Sequence, residues 1–185
     1  MAEQPQASAI VKTDKCFIRP YARSDAEALS AAANHEDISR YMTNRFPHPY
    51  TLDSANFWIN HSLEHKPHVN FAICLPDGTF AGGIGLVPGS DIEYRTWELG
   101  YWVAMDHWGK GLATSAVSAF CKWAFTAFPD LHRLDGRVVE GNEGSMKVLE
   151  KAGFVKEGVR RKAVYKHGMA LDHVMFGLLR QDIKD

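Results

Sequence analysis

Apolar and polar positions recur along the chain with periods typical of strands and helices. Short apolar runs bounded by Gly, Pro, Asn or Asp predict strands, and longer runs with a three-to-four-residue apolar period predict helices. An Asp-Gly pair at residues 77–78, between two such runs, predicts a β-hairpin. The predicted strands are residues 15–21, 70–75, 79–86, 94–105, 133–140, 154–164 and 172–179. The predicted helices are residues 26–33, 37–42, 51–65, 109–128 and 142–152.

The order of these elements predicts an α/β fold with a central mixed sheet of about seven strands and helices on both faces. Each of the last two helices is expected to provide a parallel crossover. No linker or repeat divides residues 13–185, so a single domain is expected there. Residues 1–12 are small, polar and unpatterned, and they predict a loose N-terminal tail.

Composition excludes several classes of protein. Hydrophobic residues make up 45% and charged residues 23%, which is typical of a globular domain. The formal net charge of −1 lacks the basic excess that a nucleic-acid partner requires. Three irregularly spaced cysteines indicate neither a disulfide framework nor a zinc site. The first residues do not resemble a signal peptide and no apolar run is long enough to span a membrane, so a cytoplasmic location is expected.

The most informative stretch is residues 107–114, which read His-Trp-Gly-Lys-Gly-Leu-Ala-Thr. Gly109 and Gly111 follow a predicted strand and open the longest predicted helix. A strand, a glycine turn and a helix start leave backbone N–H groups unpaired at the positive end of the helix dipole. That geometry favours a phosphate or pyrophosphate ligand, with a ligand-free tight turn as the alternative. The spacing is neither a Walker A loop nor Gly-x-Gly-x-x-Gly, because position 114 is Thr.

A second motif covers residues 142–154, which read Asn-Glu-Gly-Ser-Met-Lys-Val-Leu-Glu-Lys-Ala-Gly-Phe. Asn142 and Ser145 are three positions apart, so they share one face of the predicted helix at its N-terminus. Taken alone, the motif is explained by capping, since Asn is a good N-cap and Gly153 a good residue just beyond a helix end.

Together, the two motifs resemble those of the GNAT superfamily of N-acetyltransferases, and most closely its RimJ/RimL-like branch. The resemblance covers residues 13–182, including the start at residues 17–20. It implies the GNAT fold, acetyl-CoA as cosubstrate without a metal, and transfer of an acetyl group to a primary amine by direct attack in a ternary complex. The acceptor stays open between a protein N-terminus and a small-molecule amine. A catalytically weak acyl-CoA-binding or sensing module is the alternative function.

The same resemblance assigns the coenzyme A site. The family's pyrophosphate loop usually begins with Arg or Gln, whereas this chain has Asp106 there. Backbone N–H groups are expected to hold the pyrophosphate, and the splayed strand of the family to pair with the pantetheine arm as in β-augmentation. The residues expected to bind acetyl-CoA are Trp102, Val103, Ala104, Trp108, Gly109, Lys110, Gly111, Leu112, Ala113, Thr114 and Asn142.

Two residues are expected to be catalytic. Glu98 lies on the strand before the loop, where several GNAT enzymes place a general base, and its apolar neighbours favour a raised pKa. Many members use a Tyr before Glu-Lys-x-Gly-Phe as the acid, but this chain has Leu149 there, so Ser145 is expected to assist the departing thiolate. The alternatives are a solvated sheet residue for Glu98 and packing or capping for Ser145.

The acceptor side carries the weakest signals. Phe46 and Tyr50 lie in a two-proline loop that borders the acceptor groove in the family, and they are expected to shape it unless the loop packs only on itself. Tyr165, on the strand after the second motif, is a further candidate for this side, with core packing as the alternative. His-x-x-Glu-His at residues 61–65 is interpreted as an exposed helix face rather than a zinc site. A homodimer is compatible with the sequence, and no nucleic-acid or membrane partner is expected.

Overall fold

One mixed β-sheet organises the part of the chain that the structure, a computed structural model, describes, residues 8–183. Its strands are β1 (Val11–Lys12), β2 (Phe17–Pro20), β3 (Asn70–Cys74), β4 (Phe80–Pro88), β5 (Thr96–Val103), β6 (Arg133–Val139), β7 (Val155–Lys166) and β8 (Met169–Leu179). The helices are α1 (Ala26–Ala33), α2 (Glu36–Ser39), α3 (Leu52–Glu64), α4 (Leu112–Ala127) and α5 (Glu143–Lys151).

The strand order is β1-β2-β3-β4-β5-β6-β8-β7. Neighbours are antiparallel except β5 and β6, which run parallel and are joined by the crossover helix α4. The predicted mixed sheet is confirmed, with eight strands rather than about seven. The second predicted crossover, through α5, also joins parallel strands, because β6 and β7 are both antiparallel to β8, which lies between them. β8 carries the buried Val174, Phe176 and Leu178, whereas β7 is exposed along most of its length and therefore forms the edge.

Helices cover both faces of the sheet. One apolar cluster lies beneath α4 and α5 and contains Phe71, Phe120 and Leu149. The other lies beneath α1 and α3 and contains Tyr21, Tyr50 and partly buried Trp102. We refer to these as the α4/α5 face and the α1/α3 face.

β5 and β6 pair only along their first halves. The parallel pairing runs from Thr96 and Arg133 to Leu99 and Gly136. Beyond these residues β5 continues to pair with β4, and β6 with β8, so the two strands separate in the middle of the sheet. A Cβ atom built on Gly100 would meet no atom within 4 Å. We call this gap the splay.

Local sequence signals explain the helix bounds that frame the splay. Asn142 caps α5 by accepting a hydrogen bond from the Ser145 backbone N–H at 3.2 Å. Gly153 follows α5 with a φ of +96°, as its predicted role beyond the helix end requires. A Cβ at Gly136 would lie 2.7 Å from Leu149 Cδ1, so glycine lets α5 approach β6 this closely.

The predicted N-terminal tail is only partly covered by the structure. Residues 1–7 lie outside the described range. The expectation of a loose tail is wrong for its last residues, because Val11–Lys12 form β1 and the Ile10 N–H donates to the Ile18 carbonyl at 2.8 Å. Ile10 and Val11 pack against the apolar cluster of the α4/α5 face. The polar residues before them made this packing hard to predict from the sequence. Among residues 8–183, no helix is long and apolar enough to cross a membrane.

Candidate active site

A cavity of about 700 Å³ opens at the splay and reaches both faces of the sheet. Its walls come from the separated halves of β5 and β6, from the first turn of α4, from α5, and from residues that follow α1. On the α1/α3 face the wall is formed by residues 36–43, which we call the wall segment, and Asp37, Ile38, Tyr41, Met42 and Thr43 from it line the cavity. A ligand of ordinary size for a small-molecule site fits such a volume.

The glycine turn between β5 and α4 forms one end of the cavity. Gly109 and Gly111 have φ values of +72° and +74°, a left-handed conformation that glycine adopts without steric cost. Gly111 is the N-cap of α4 and has no side chain to accept hydrogen bonds from the first turn. The first helical hydrogen bond runs from the Ser115 N–H to the Gly111 carbonyl, so the N–H groups of residues 112–114 have no acceptor within the helix. These amides and the helix dipole suit an anionic group.

Side chains fix the turn against the rest of the sheet. The Trp108 indole donates to the Val103 carbonyl at 2.7 Å. The Lys110 ammonium, expected to contribute to acetyl-CoA binding, donates to the Asp106 carbonyl at 2.7 Å. The Lys15 ammonium donates to the Lys110 carbonyl at 2.9 Å and lies near Gly111, so a lysine distant in sequence brings positive charge to this turn.

The backbone of β5 presents a donor to the splay. The Ala104 N–H donates to Ala81 of the β4 side at 2.8 Å. N–H groups of successive strand residues point to opposite edges, so the Val103 N–H points toward the splay. The Val103 carbonyl points the same way and accepts the Trp108 indole.

Glu98 lies on the α1/α3 face and lines the cavity. Its Oε2 is 3.2 Å from Nη1 of Arg137, and the Arg137 Nη2 is 3.7 Å from Asp135. Burial raises the pKa of Glu98, the Arg137 guanidinium opposes that rise, and the Asp135 carboxylate adds to it. The carboxylate is therefore only partly buried, and its burial favours acceptance of a proton whereas the ion pair with Arg137 opposes it.

Ser145 lies on the opposite side of the splay. Its Oγ is 2.9 Å from the Tyr101 hydroxyl, which also approaches the Ser145 carbonyl at 3.3 Å. Burial raises the pKa of Tyr101 to about 12, so the phenol is protonated at neutral pH. Leu149, which replaces the expected Tyr, is buried against Gly136 and offers the cavity an apolar surface.

The cavity brings most of the predicted site residues together. Those that line it are Glu98, Trp102, Val103, Trp108, Gly109, Gly111, Leu112, Ala113, Thr114, Asn142 and Ser145. Those outside its lining are Phe46, Tyr50, Ala104, Lys110 and Tyr165.

The five residues outside the lining have other surroundings. Tyr50 is buried in the α1/α3 cluster, and Phe46 packs against it with the two rings tilted and their centroids 4.8 Å apart. Phe46 also meets Trp102 edge-on at 5.8 Å, so it supports a cavity residue without lining the cavity itself. Tyr165 is 72% exposed, and neither substrate contact nor core packing is supported for it.

Several cavity residues carried no usable signal in the sequence. Arg137 and the wall segment reach the cavity through sheet register and loop path, which no local motif reports. Tyr101 could have been noticed as a polar aromatic residue on the same strand as Glu98. The exposed His61 and His65 lie on α3 away from the cavity lining, and residues 8–183 contain no cluster of three His, Cys, Asp or Glu side chains that could hold a metal.

A mixed sheet that splays beside a glycine turn at a helix start suits an extended ligand that carries a phosphate group. The family model for the acetyltransferase (GNAT) domain matches residues 15–155. The chain belongs to the GNAT family of N-acetyltransferases, whose acyl donor is acetyl-CoA.

Relatives and solved structures agree with this assignment. Probable N-acetyltransferase YjcK of Bacillus subtilis (strain 168) is 31% identical over 94% of this chain and 98% of that protein. Spermidine N(1)-acetyltransferase of Vibrio cholerae is 26% identical over 76% of this chain and 79% of that protein. The structure of Mycobacterium smegmatis RimJ in complex with CoA-disulfide has a TM-score of 0.77 and 28% identity, covering 92% of this chain and 84% of RimJ.

Proposed function

We propose that this chain transfers the acetyl group of acetyl-CoA to a primary amine by direct attack in a ternary complex. The observation that carries the proposal is the position of two polar pairs on opposite sides of the splay. Glu98 and Arg137 lie on the α1/α3 face, whereas Ser145 and Tyr101 lie against α5. Because one cavity reaches both pairs, a thioester held beside α4 and α5 can meet an amine that enters from the other face.

The donor is expected to bind along the α4/α5 face. Backbone N–H groups at residues 109–114 would hold the pyrophosphate, with Lys15 adding positive charge beside them. The pantetheine arm would lie in the splay against the free edge of β5, where the Val103 N–H points. Asn142 lines the cavity at the start of α5, in a position to meet the thiol end of the arm.

The proposed chemistry assigns proton removal from the amine to the Glu98 pair and stabilisation of the thiolate to the Ser145 pair. Glu98 takes a proton from the ammonium of the acceptor, directly or through water, and the neutral nitrogen attacks the acetyl carbonyl carbon. The carbonyl oxygen gains negative charge as the C–N bond forms, and the Val103 N–H is placed to stabilise it. When the C–S bond breaks, the sulfur retains the electron pair and the Ser145 hydroxyl donates a hydrogen bond to the resulting thiolate. The nitrogen loses its second proton, which neutralises the thiolate, so that the products are a neutral amide and the thiol of coenzyme A.

The acceptor is proposed to be a primary amine, either a protein N-terminus or a small-molecule amine. Carboxylates of Asp37 and Glu98 line the acceptor side and favour a cationic ammonium. The name of the Vibrio cholerae relative specifies spermidine, whereas the RimJ/RimL resemblance favours a protein N-terminus. Thiol release from acetyl-CoA in the presence of a peptide with a free α-amine and of a linear diamine distinguishes the two classes.

Glu98→Gln tests the proposed base. We expect kcat at neutral pH to fall about 100-fold, in the range typical of general bases. Wild-type activity should rise with pH through the elevated pKa of Glu98 and again as the amine loses its own proton. The variant should lose the first rise and approach wild type at high pH, where the amine is already neutral. The measurement is the pH–rate profile of thiol release, and an unchanged profile would rule out Glu98.

Glu157→Gln is the matched control. Glu157 is a carboxylate that pairs with another arginine of β6, Arg133, but it does not line the cavity. Its substitution should leave the profile unchanged. Tight binding of coenzyme A by wild type without thiol release in the presence of either amine would instead favour the binding or sensing module.

A further inference from the structure

Lys166 is a buried lysine at the end of β7. It is 8% exposed, and its ammonium donates to the Ser39 carbonyl at 2.6 Å and to the Met42 carbonyl. Ser39 is the last residue of α2, and Met42 lies in the turn that follows. The Ser39 carbonyl also accepts from the Met42 N–H at 3.2 Å, so the ammonium is a second donor to that carbonyl and also binds the Met42 carbonyl in the turn that follows.

The two carbonyls belong to the wall segment, residues 36–43. This segment is part of the connection between α1 and α3, and it closes the cavity on the α1/α3 face. Lys166 is 127 positions away from Ser39 in the chain and belongs to the β7–β8 hairpin at the opposite end of the sheet. A second long-range bond runs from the Tyr41 hydroxyl to the Gly141 carbonyl at 3.1 Å, beside α5.

These bonds tie the wall segment to the half of the sheet that contains β6, β8 and β7. The splay separates that half from the half that carries α1 and α3, so the wall segment bridges the mouth of the cavity. The hydrogen bonds from Lys166 hold the wall segment more strongly than the one from Tyr41. Hydrogen bonds from charged groups stabilise a structure more than neutral ones do, and breaking them costs more free energy.

We propose that Lys166 is a positioning residue that holds the wall segment across the acceptor mouth and thereby sets the affinity for the amine acceptor. The proposal rests on the proposed function, in which the amine enters from the α1/α3 face. Lys166 does not line the cavity and touches neither reacting group, so it acts through the wall residues that do, including Asp37 and Tyr41.

Lys166→Met tests the proposal, because Met keeps the length and apolar volume of the side chain but donates no hydrogen bond. We expect KM for the amine to rise about tenfold, the equivalent of one lost hydrogen bond to a charged group. The value of kcat at saturating amine and the affinity for coenzyme A should stay within about twofold, since the catalytic pairs are untouched. Lys166→Arg, which retains donors, should restore much of the KM. The amine probe is the better substrate of the peptide and the diamine.

Hydrogen exchange of the wall segment provides a readout without any acceptor. Amides of residues 36–43 should exchange faster in Lys166→Met than in wild type, while those of α4 and α5 should not change. Lys156→Met is the control, because Lys156 is an exposed lysine of the same strand. It should change neither KM nor exchange.

The outcomes separate this proposal from the proposed function. An unchanged KM and unchanged exchange in Lys166→Met would overturn the role of Lys166. A general loss of stability, with kcat, coenzyme A affinity and exchange throughout the sheet all affected, would also overturn it by indicating a purely structural lysine. If wild type acetylates neither amine, the proposed function fails, whereas the exchange comparison still decides whether Lys166 holds the wall segment.

Discussion

At the scale of single residues, the hydroxyl pair of Tyr101 and Ser145 can be arranged in two ways. The phenol can donate to Ser145 Oγ, which frees the serine proton for the departing sulfur, or it can donate to the Ser145 carbonyl and accept from Oγ. Only the first arrangement makes Ser145 a donor to the thiolate. Because burial raises the pKa of Tyr101 to about 12, the phenol keeps its proton at neutral pH, and we expect it to act by orienting Ser145.

Ser145→Ala should lower kcat while the affinity for coenzyme A stays close to wild type, because the hydroxyl acts only as the C–S bond breaks. Tyr101→Phe should lower kcat by a smaller factor, since a disordered serine retains some activity. The double variant should be no slower than Ser145→Ala, because Tyr101 acts through Ser145. Additive losses in kcat would show that Tyr101 contacts the thiolate directly, and a large loss of coenzyme A affinity in Ser145→Ala would indicate a binding role.

The sequence predicted one member of each polar pair but not its partner. Glu98 and Ser145 could be predicted because each lies at a fixed distance in sequence from one of the two motifs. Arg137 meets Glu98 because β5 and β6 pair in parallel in one particular register, with Glu98 opposite Asp135. Tyr101 reaches Ser145 because the splay opens next to it. Register and strand separation depend on packing between distant elements, which no local pattern encodes.

At the scale of elements, the turn before α4 depends on backbone conformation more than on side chains. Gly109 and Gly111 both hold positive φ values, and Gly111 caps α4 without a side-chain bond. The departure at Asp106 is therefore compatible with phosphate binding: Asp106 contributes its carbonyl to Lys110, and its carboxylate does not line the cavity.

Gly109→Val tests the turn. A β-branched residue in the left-handed region costs about 1–2 kcal/mol, so the unfolding free energy should fall by that amount. The turn should also shift, misplacing amides that hold charged phosphate, and the dissociation constant for coenzyme A should rise about tenfold or more. Calorimetric titration with coenzyme A measures it.

Gly78→Val is the matched control for Gly109→Val. Gly78 also has a positive φ and open space around it, but it lies in the β3–β4 hairpin and does not line the cavity. It should lose similar stability and keep its coenzyme A affinity. Acetyl-pantetheine, which lacks the diphosphate, should be used equally well by both variants; equal coenzyme A affinity would contradict the role of the turn.

The positions of helices and strands were predictable where turn and capping residues mark their ends. Asp77–Gly78, Thr51, Asn142 and Gly153 mark a hairpin and helix ends that the structure confirms. The position of β8 between β6 and β7 was not predictable, because both hairpin strands carry apolar residues and only packing decides which one is buried. β1 was missed because two residues form no recognisable period.

At the scale of the whole molecule, the sheet separates the donor side of the proposed reaction from the acceptor side. The α4/α5 face holds the turn and the Ser145 pair, the α1/α3 face holds Glu98 and the wall segment, and the cavity at the splay connects them. The other neighbouring strands are hydrogen-bonded to one another, from β1 to β5 and from β6 through β8 to β7. Transfer between the faces therefore depends on the splay staying open.

Gly100→Leu tests whether acetyl transfer passes through the splay. Gly100 alternates with Glu98 and Trp102 along β5, lines the cavity, and leaves open space where a side chain would project. A leucine there should separate the amine from the acetyl carbon, and a misplacement of about 1 Å can cost about 100-fold in rate, so kcat/KM for the amine should fall at least that far. Affinity for coenzyme A should fall much less, because the turn before α4 is unaltered.

Gly158→Leu is the control, since Gly158 also has open space but lies on β7 away from the cavity lining, and it should keep wild-type activity. Normal amine acetylation by Gly100→Leu would show that donor and acceptor do not meet beside Gly100.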